Sequence, residues 1–368
     1  MELARLRSES THGRAPSFEL VDNGGNTAYH CITKQVGTIL ALHSIPPNDW
    51  IAWLLGGSPW EEYRTRVDLL KQSEEEAEVI AARQAMLAHP RIRGLLQDLM
   101  DWPGPILKSH KDAGHLLHKL TFAADLGLQA RDPGMEEVID CILDHQAPTG
   151  PFQVLVNINP RYGGTGEDQW AWMLCDAPLV LYALVKFGLS NDKRILAAIE
   201  HLAELIQDQG WPCAISPELG KFRGPGRKAD PCPYATLVML KALALMPEWR
   251  NSATCRSGAE ALLKLWQQRR ERRPYLFAMG TDFAKLKAPL IWYDILHVLD
   301  VLSHFPWLQG DPRRIEMVEL VRSKADDRVR YTPESIWMAW KGWDFGQKRE
   351  PSRWLTLIVD RMLHRLKT

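Results

Sequence analysis

The chain has 368 residues, of which 45% are hydrophobic and 24% charged, enough apolar material for one large domain or two ordinary ones. Lysine plus arginine and aspartate plus glutamate both count 45, which excludes recruitment of nucleic acid by bulk charge. The six cysteines lack the spacing of a disulfide framework, and neither a membrane-spanning apolar run nor a secretory signal is evident, so we expect a cytoplasmic protein with reduced thiols.

The first part of the chain divides into two segments. Residues 1–47 are rich in Ser, Thr, Gly and Asn without a sustained hydrophobic period, which predicts a poorly ordered leader. Residues 48–104 carry helical patterns beginning near Pro59 and Glu74, which predict an N-terminal helical segment.

From residue 105 to residue 368 a repeat is visible, in which a loop ends in proline or glycine and a dense apolar helix follows. Proline suits the first turn of a helix, where its missing N–H is not needed. The five predicted helices begin at Gly114, Pro178, Pro233, Pro289 and Pro351.

Between these apolar segments lie helices with a single apolar face. Residues 191–206 place Ile195, Ile199 and Leu202 on one side, and two further helices are predicted to begin at Asp132-Pro133 and Asp311-Pro312. Helices buried all round that alternate with amphipathic ones predict an all-α fold with inner and outer rings, an α/α toroid. An open solenoid of helical hairpins is the alternative.

Two stretches resemble the repeat shared by squalene-hopene-type cyclases and protein prenyltransferase β subunits. They are the run Gly163-Gly164-x-Gly166 with Asp176-Ala-Pro-Leu, and the run Gln209-Gly210-Trp211-Pro212 with Asp230-x-Cys232. The resemblance covers about residues 105–366 and implies the toroid fold, with a cavity for an isoprenoid-like ligand. One fold hosts many chemistries, so it specifies the scaffold better than the activity.

The chain departs from both families at the residues that carry their chemistry. Of the cyclase D-x-D-D acid motif only Asp176 matches, and Cys175 occupies the place of a proton donor although a thiol is too weak an acid to protonate an alkene. Asp230 and Cys232 match two of the prenyltransferase zinc ligands. Pro289 stands where the third ligand, a histidine, is expected, so the zinc site that the resemblance implies is incomplete, although His297 lies further along. In the alternative interpretation Asp230 caps a helix and Cys232 is a buried apolar residue.

Titratable residues collect just before the predicted inner helices, at what would be the mouth of the barrel. His110, Asp112 and His115 form one group, and Glu167, Asp168 and Asp176 form another. Either group is suited to general acid–base catalysis, and we take all six as candidate catalytic residues. Helix capping and turn formation are the structural alternative.

Cations and indoles are also concentrated at this mouth. A basic loop supplies Lys221, Arg223, Arg227 and Lys228, to which Lys348 adds a further cation, and together they predict an anion-binding rim. Tryptophan, which occurs 15 times in the chain, could stabilise a carbocation or stack on a sugar, or could fill the core. The candidates for ligand contact are Trp170, Trp172, Trp211, Trp340 and Trp343.

These observations leave three functions open. The first is an enzyme or binder of an isoprenoid-like or other amphiphilic small molecule, similar to terpene cyclases and prenyltransferases. The second is a carbohydrate hydrolase or lyase on an (α/α)-barrel. The third is a non-catalytic scaffold whose mouth residues only hold the loops together. A small amphiphilic or anionic ligand is the expected partner, and zinc is the cofactor that the resemblance implies.

Overall fold

A computed structural model describes residues 49–222, 230–271 and 279–367. The leader predicted over residues 1–47 lies outside these ranges, as do residues 223–229 and 272–278. In the described part, α-helices dominate and only one small two-stranded sheet is present, which confirms the all-α class. The described helices belong to one compact unit, Pro47–Thr368.

The helices follow one another in short segments. In chain order they are α1 Asp49–Leu55, α2 Pro59–Arg64, α3 Ala77–Ala88, α4 Pro90–Leu99, α5 Leu116–Leu126, α6 Met135–Asp144, α7 Ala177–Leu184, α8 Lys193–Glu204, α9 Pro233–Leu243, α10 Pro247–Arg250, α11 Ala253–Gln267, α12 Ile295–Leu302, α13 Pro312–Arg322 and α14 Arg353–Arg365. One-turn π-helical segments, Thr65–Leu69 and Val185–Leu189, extend α2 and α7.

Five of these helices, α5, α7, α9, α12 and α14, are buried along most of their length, and we call them the buried helices. Every residue of α7, α9 and α12 is buried. In contrast, α6, α8 and α11 are amphipathic and bury one face, with Ile195, Ile199 and Leu202 on the buried side of α8 as predicted. The alternation of apolar and amphipathic helices read from the sequence is therefore present.

The buried helices pack against one another in chain order. Helix α7 lies between α5 and α9, α9 packs on α12, and α12 packs on α14. Helix α14 also contacts the N-terminal helices α1 and α2, with the Arg353 guanidinium donating a hydrogen bond to the Trp53 carbonyl at 2.9 Å. The ring of Phe122 on α5 meets that of Trp354 on α14, with centroids 5.4 Å apart. The first and last buried helices are thus in contact.

Most helix starts follow the predicted capping chemistry. Pro178 and Pro233 lie in the first turns of α7 and α9, and the Asp311 carboxylate accepts the Arg313 N–H at 2.9 Å at the start of α13. At residue 132 the prediction is wrong, because α6 begins only at Met135, after Gly134. Asp132 instead accepts hydrogen bonds from Arg83.

The start predicted at Pro289 is also wrong, since α12 begins at Ile295. The Asp294 carboxylate accepts the His297 N–H at 3.0 Å and supplies the cap, and Pro289 remains in the preceding loop. The predicted glycine loop contains two short strands, β1 Val154–Val156 and β2 Gln169–Ala171, which pair antiparallel with Leu155 opposite Trp170.

Candidate functional site

The N-terminal ends of three buried helices bring two cysteines, a histidine and an aspartate together. His110 precedes α5, Cys175 and Asp176 precede α7, and Cys232 is the N-cap residue of α9. We call these four residues the thiol cluster. Because each residue lies at or shortly before the start of a buried helix, the parallel packing of the helices places all four at the same end of these helices.

His110 and Asp176 form an imidazole–carboxylate pair in this cluster. His110 Nδ1 lies 2.7 Å from Asp176 Oδ1, and the Asp176 side chain is only 1% exposed, against 23% for His110. Burial works against a charge on the imidazole, but the Asp176 carboxylate outweighs it and raises the pKa of His110. His118 Nε2 donates to the His110 carbonyl at 2.9 Å and holds this segment in place.

Cys232 is stabilised as a thiolate by the groups around it. The Cys175 thiol donates a hydrogen bond to the Cys232 sulfur, which outweighs burial and lowers the pKa of Cys232. The Ala235 N–H, in the first turn of α9, also donates to the Cys232 sulfur at 3.5 Å. The donor role of Cys175, together with burial, raises its own pKa. Of the two thiols Cys232 is therefore the more acidic, and Cys175 supports its ionised form.

An aromatic wall lies beside the thiol cluster. The rings of Tyr234 and Trp292 are 4.3 Å apart between centroids, and the His110 ring lies 6.3 Å from that of Tyr234. The exposed Lys111 ammonium is 4.9 Å from the Trp292 ring centroid. The thiol cluster thus has aromatic rings and a cation beside it.

Three of the six predicted catalytic residues have local structural roles. His115 is the N-cap of α5: its Nδ1 accepts the Leu117 N–H, and its Nε2 donates to the Pro105 carbonyl. Asp112 is exposed and accepts the Gly114 N–H, and the exposed Asp168 accepts a hydrogen bond from the Asn157 amide at 2.7 Å. Glu167 is also exposed. Of the six, the structure pairs the side chains of His110 and Asp176.

Among the predicted ligand-binding tryptophans, Trp211 and Trp172 are core residues. Trp211 is fully buried, and its indole N–H donates to the Leu202 carbonyl at 2.9 Å. Trp172 is 5% exposed and lies edge-on to His201. These side chains fill space between helices, which was the structural alternative.

Of the remaining tryptophans, Trp170 and Trp343 are partly exposed, whereas Trp340 is 2% exposed. Trp170 is half-buried and stacks on His145, with ring centroids 3.3 Å apart. Trp340 and Trp343 line a surface groove of about 410 Å³ that also includes Arg91. Trp340 donates its indole N–H to the Ala113 carbonyl at 2.7 Å, so it also ties the 338–343 segment to the start of α5.

The predicted anion-binding rim is described only in part. Arg223, Arg227 and Lys228 lie outside the described residues, whereas Lys221 and Lys348 are exposed. The Lys221 main-chain N–H donates to the Gly163 carbonyl at 3.0 Å, which fixes the glycine loop to the first residues of the basic loop.

The zinc ligands implied by the resemblance were tested against the same geometry. His297 is fully buried, and its Nδ1 bonds to the Trp292 carbonyl at 3.0 Å. Burial lowers the pKa of His297 to about 3, so this histidine is neutral. Within residues 49–222, 230–271 and 279–367, no three His, Cys, Asp or Glu side chains are grouped so that they could hold a metal ion, and this holds for Asp230 and Cys232 as well.

At the opposite end of the buried helices lies a second concentration of charge, which sequence reasoning missed. We call it the ionic cluster, and its members are Arg64, Asp68, Lys186, Lys241, Asp300, Arg361 and Arg365. Its sequence signal is a spacing of four residues that places two polar side chains on one helical face, as in Arg64 with Asp68 and Arg361 with Arg365.

The carboxylates of the ionic cluster are held by arginines. Asp68 accepts hydrogen bonds from Arg64 and lies 3.4 Å from Arg361, and Asp300 is paired with Arg365 and lies 3.7 Å from Arg361. Burial alone would raise the pKa of Asp68, but Arg64 and Arg361 lower it to about 2. Arg361 therefore bridges two carboxylates that come from different parts of the chain.

No described helix has the length and apolarity needed to cross a bilayer. Comparison of the whole sequence with protein-family models and with curated proteins gives no match to either. The thiol cluster and the ionic cluster are therefore interpreted below from their own geometry.

Proposed function

We propose that the chain is a thiol-dependent enzyme in which Cys232 is the nucleophile. The observation that carries this proposal is the position of the Cys232 sulfur at the N-terminus of α9, where it accepts hydrogen bonds from Cys175 and from the Ala235 N–H. The His110–Asp176 pair belongs to the same cluster. A thiolate, a histidine and a carboxylate that orients the histidine are the components of nucleophilic cysteine catalysis.

The scaffold that we propose for this site is an α/α toroid. The order in which the buried helices pack, and the contact of Phe122 on α5 with Trp354 on α14, support a closed inner ring. The amphipathic helices α6, α8 and α11 would form part of the outer ring, with one apolar face each. In such a ring the thiol cluster would lie at one mouth.

The proposed step is a displacement at an electrophilic carbon. The Cys232 sulfur forms a bond to that carbon while the bond between the carbon and its leaving group breaks. The leaving group departs with the bonding electrons and receives a proton from His110 Nε2. Asp176, at His110 Nδ1, orients the ring and stabilises its charged form before the transfer.

As substrate we propose a small, isoprenoid-like amphiphile with an anionic group. The partly exposed Trp292, which packs on the buried Tyr234, is the apolar side chain beside the thiol cluster, and Lys111 offers a cation at its edge. Carbohydrate hydrolysis has less support, because Glu167 and Asp168 are exposed and Asp176 is already paired with His110. Acid-initiated cyclisation also has less support, since Cys175 is a hydrogen-bond donor to Cys232 and has a raised pKa.

Residue-resolved alkylation tests the proposal. The protein is treated with iodoacetamide at a series of pH values, and each cysteine is quantified by peptide mass spectrometry. Cys232 should react at neutral pH about tenfold faster than Cys141, although Cys141 is more exposed, because the Cys141 pKa is raised and that of Cys232 is lowered.

Two variants complete this experiment. Asp176→Asn should shift the Cys232 profile to higher pH, because His110 loses the carboxylate that raises its pKa and favours its charged form. Asp168→Asn removes an exposed carboxylate outside the thiol cluster and should leave the profile unchanged. A Cys232 that reacts more slowly than Cys141 would contradict the proposal and favour the non-catalytic scaffold.

A further inference from the structure

A cavity of about 160 Å³ lies inside the ionic cluster, at the C-terminal ends of the buried helices. The side chains that carry positive charge around it are Arg64, Lys186, Lys241, Arg361 and Arg365. Lys186 is partly exposed, and the Arg361 and Arg365 side chains are 11% and 22% exposed, so the cavity has a route to solvent. It is separate from the thiol cluster and does not depend on the proposed function.

Positive charge exceeds negative charge around this cavity. Five cationic side chains line it, against the carboxylates of Asp68 and Asp300. A third carboxylate, Asp125, lies behind the wall and accepts a hydrogen bond from the Tyr182 hydroxyl, which leaves an excess of two positive charges. His304 adds no charge, because burial, followed by the proximity of Arg365, lowers its pKa to about 3.

Lys241 is the cation that the protein itself satisfies least. It is 3% exposed, and its ammonium has no hydrogen-bond partner among the described residues. The Lys241 ammonium instead lies over the Tyr182 ring, 4.5 Å from the ring centroid. A buried ammonium loses the hydration of three donors, and a cation–π contact replaces only part of that loss.

The ends of the surrounding helices explain why cations are tolerated at this position. Helix C-termini carry partial negative charge and favour lysine and arginine in their last turns. This dipole does not supply a hydrogen-bond acceptor for the Lys241 ammonium. It also does not account for an open polar space, since protein interiors are otherwise closely packed.

We propose that this cavity is a binding site for a small phosphate-type oxyanion. Its volume is similar to that of engineered cavities of roughly 150 Å³ that accept benzene, so orthophosphate fits and diphosphate is near the upper limit. The anion would accept hydrogen bonds from Lys241, Lys186 and Arg361, and would neutralise the excess charge. The three donors belong to α9, the segment after α7, and α14, so the anion would join distant parts of the chain.

The test uses inorganic phosphate and diphosphate, with chloride at the same ionic strength as the reference. Binding is measured by calorimetric titration of the whole protein, and thermal unfolding is followed in parallel. We expect saturable binding of at least one of the two anions, together with a rise in melting temperature that saturates at the same concentration. If phosphate and diphosphate change the heat signal and the melting temperature of the wild-type protein no more than chloride does, the proposal is wrong.

Two variants locate the site. Lys241→Met keeps the length of the side chain and should weaken anion binding by about tenfold. Lys264→Met removes an exposed lysine on α11 and should leave binding unchanged. Equal affinity in wild type and Lys241→Met would show that the anion binds elsewhere. If Lys241→Met does not fold, Lys186→Gln, at the half-buried edge of the same cavity, takes its place.

Discussion

The two ends of the buried helices differ in the charged groups that they carry. At the N-terminal end, one imidazole–carboxylate pair and two thiols lie beside aromatic rings, and the helix N–H groups favour a thiolate on Cys232. At the C-terminal end, arginines bridge buried carboxylates around a polar cavity. Each end carries the charge that the helix dipole favours there.

The comparison suggests a division of roles between the two ends. The charges of the ionic cluster depend on one another, because a buried carboxylate without its arginine is costly. The thiol cluster has few charges, and its groups modify the reactivity of one sulfur atom. We therefore expect substitutions at the C-terminal end to change mainly stability, and substitutions at the N-terminal end to change mainly reactivity.

The largest expected effect is that of Arg361→Met. This change removes the guanidinium between Asp68 and Asp300 and leaves two buried carboxylates with fewer partners, so it should lower the free energy of unfolding by about 3 kcal/mol. Urea unfolding followed by circular dichroism measures the loss. Arg322→Met is the control, because Arg322 is paired with Glu319 at the surface and should contribute less than about 0.5 kcal/mol. Equal losses of unfolding free energy in the two variants would show that the ion pairs of Arg361 contribute no more than an ordinary surface ion pair.

A smaller change in the free energy of unfolding, in this case an increase, is expected for Asp360→Asn. Asp360 lies on α14 like Arg361, but its Oδ2 atom has no partner among the described residues, and burial raises its pKa to about 8. In the unfolded chain the carboxyl ionises near pH 4, so the native state holds the proton more tightly, and stability is lost as pH rises from about 4 to about 8.

Asparagine does not ionise, so the variant should be more stable than the wild type by about 2 kcal/mol at pH 8. The difference should shrink toward pH 5, and thermal unfolding at both pH values measures it. A constant difference across this range would show that Asp360 is ionised in the folded protein and has a partner that the described residues do not include.

Much of the fold could be predicted because it depends on local patterns. Pro178 and Pro233 mark the first turns of two buried helices, and the apolar face of α8 follows from residue spacing alone. The start predicted at Pro289 was wrong, because a proline permits a helix start without requiring one, and the Asp294 carboxylate caps the helix later.

The candidate site was less predictable because it depends on contacts between distant segments. The sequence singled out His110, Asp176 and Cys232, but for different chemistries, and only packing shows that they form one cluster with Cys175. The ionic cluster was missed altogether. Its members come from different helices and read as ordinary charged positions until the helices pack in parallel.

The smallest effect on stability is expected for Cys175→Ala, which tests the other side of the comparison. Cys175 is 7% exposed, and replacing its sulfur by a methyl-sized side chain should lower the free energy of unfolding by no more than about 1 kcal/mol. The same change removes the thiol that donates to Cys232, so the Cys232 pKa should rise and its alkylation profile should move to higher pH. Alkylation across pH and urea unfolding of the same samples separate the two quantities. If the alkylation profile stays in place while stability falls by more than this, Cys175 acts through packing. The thiol cluster would then be part of the packed core, and substitutions at the N-terminal end would change stability as those in the ionic cluster do.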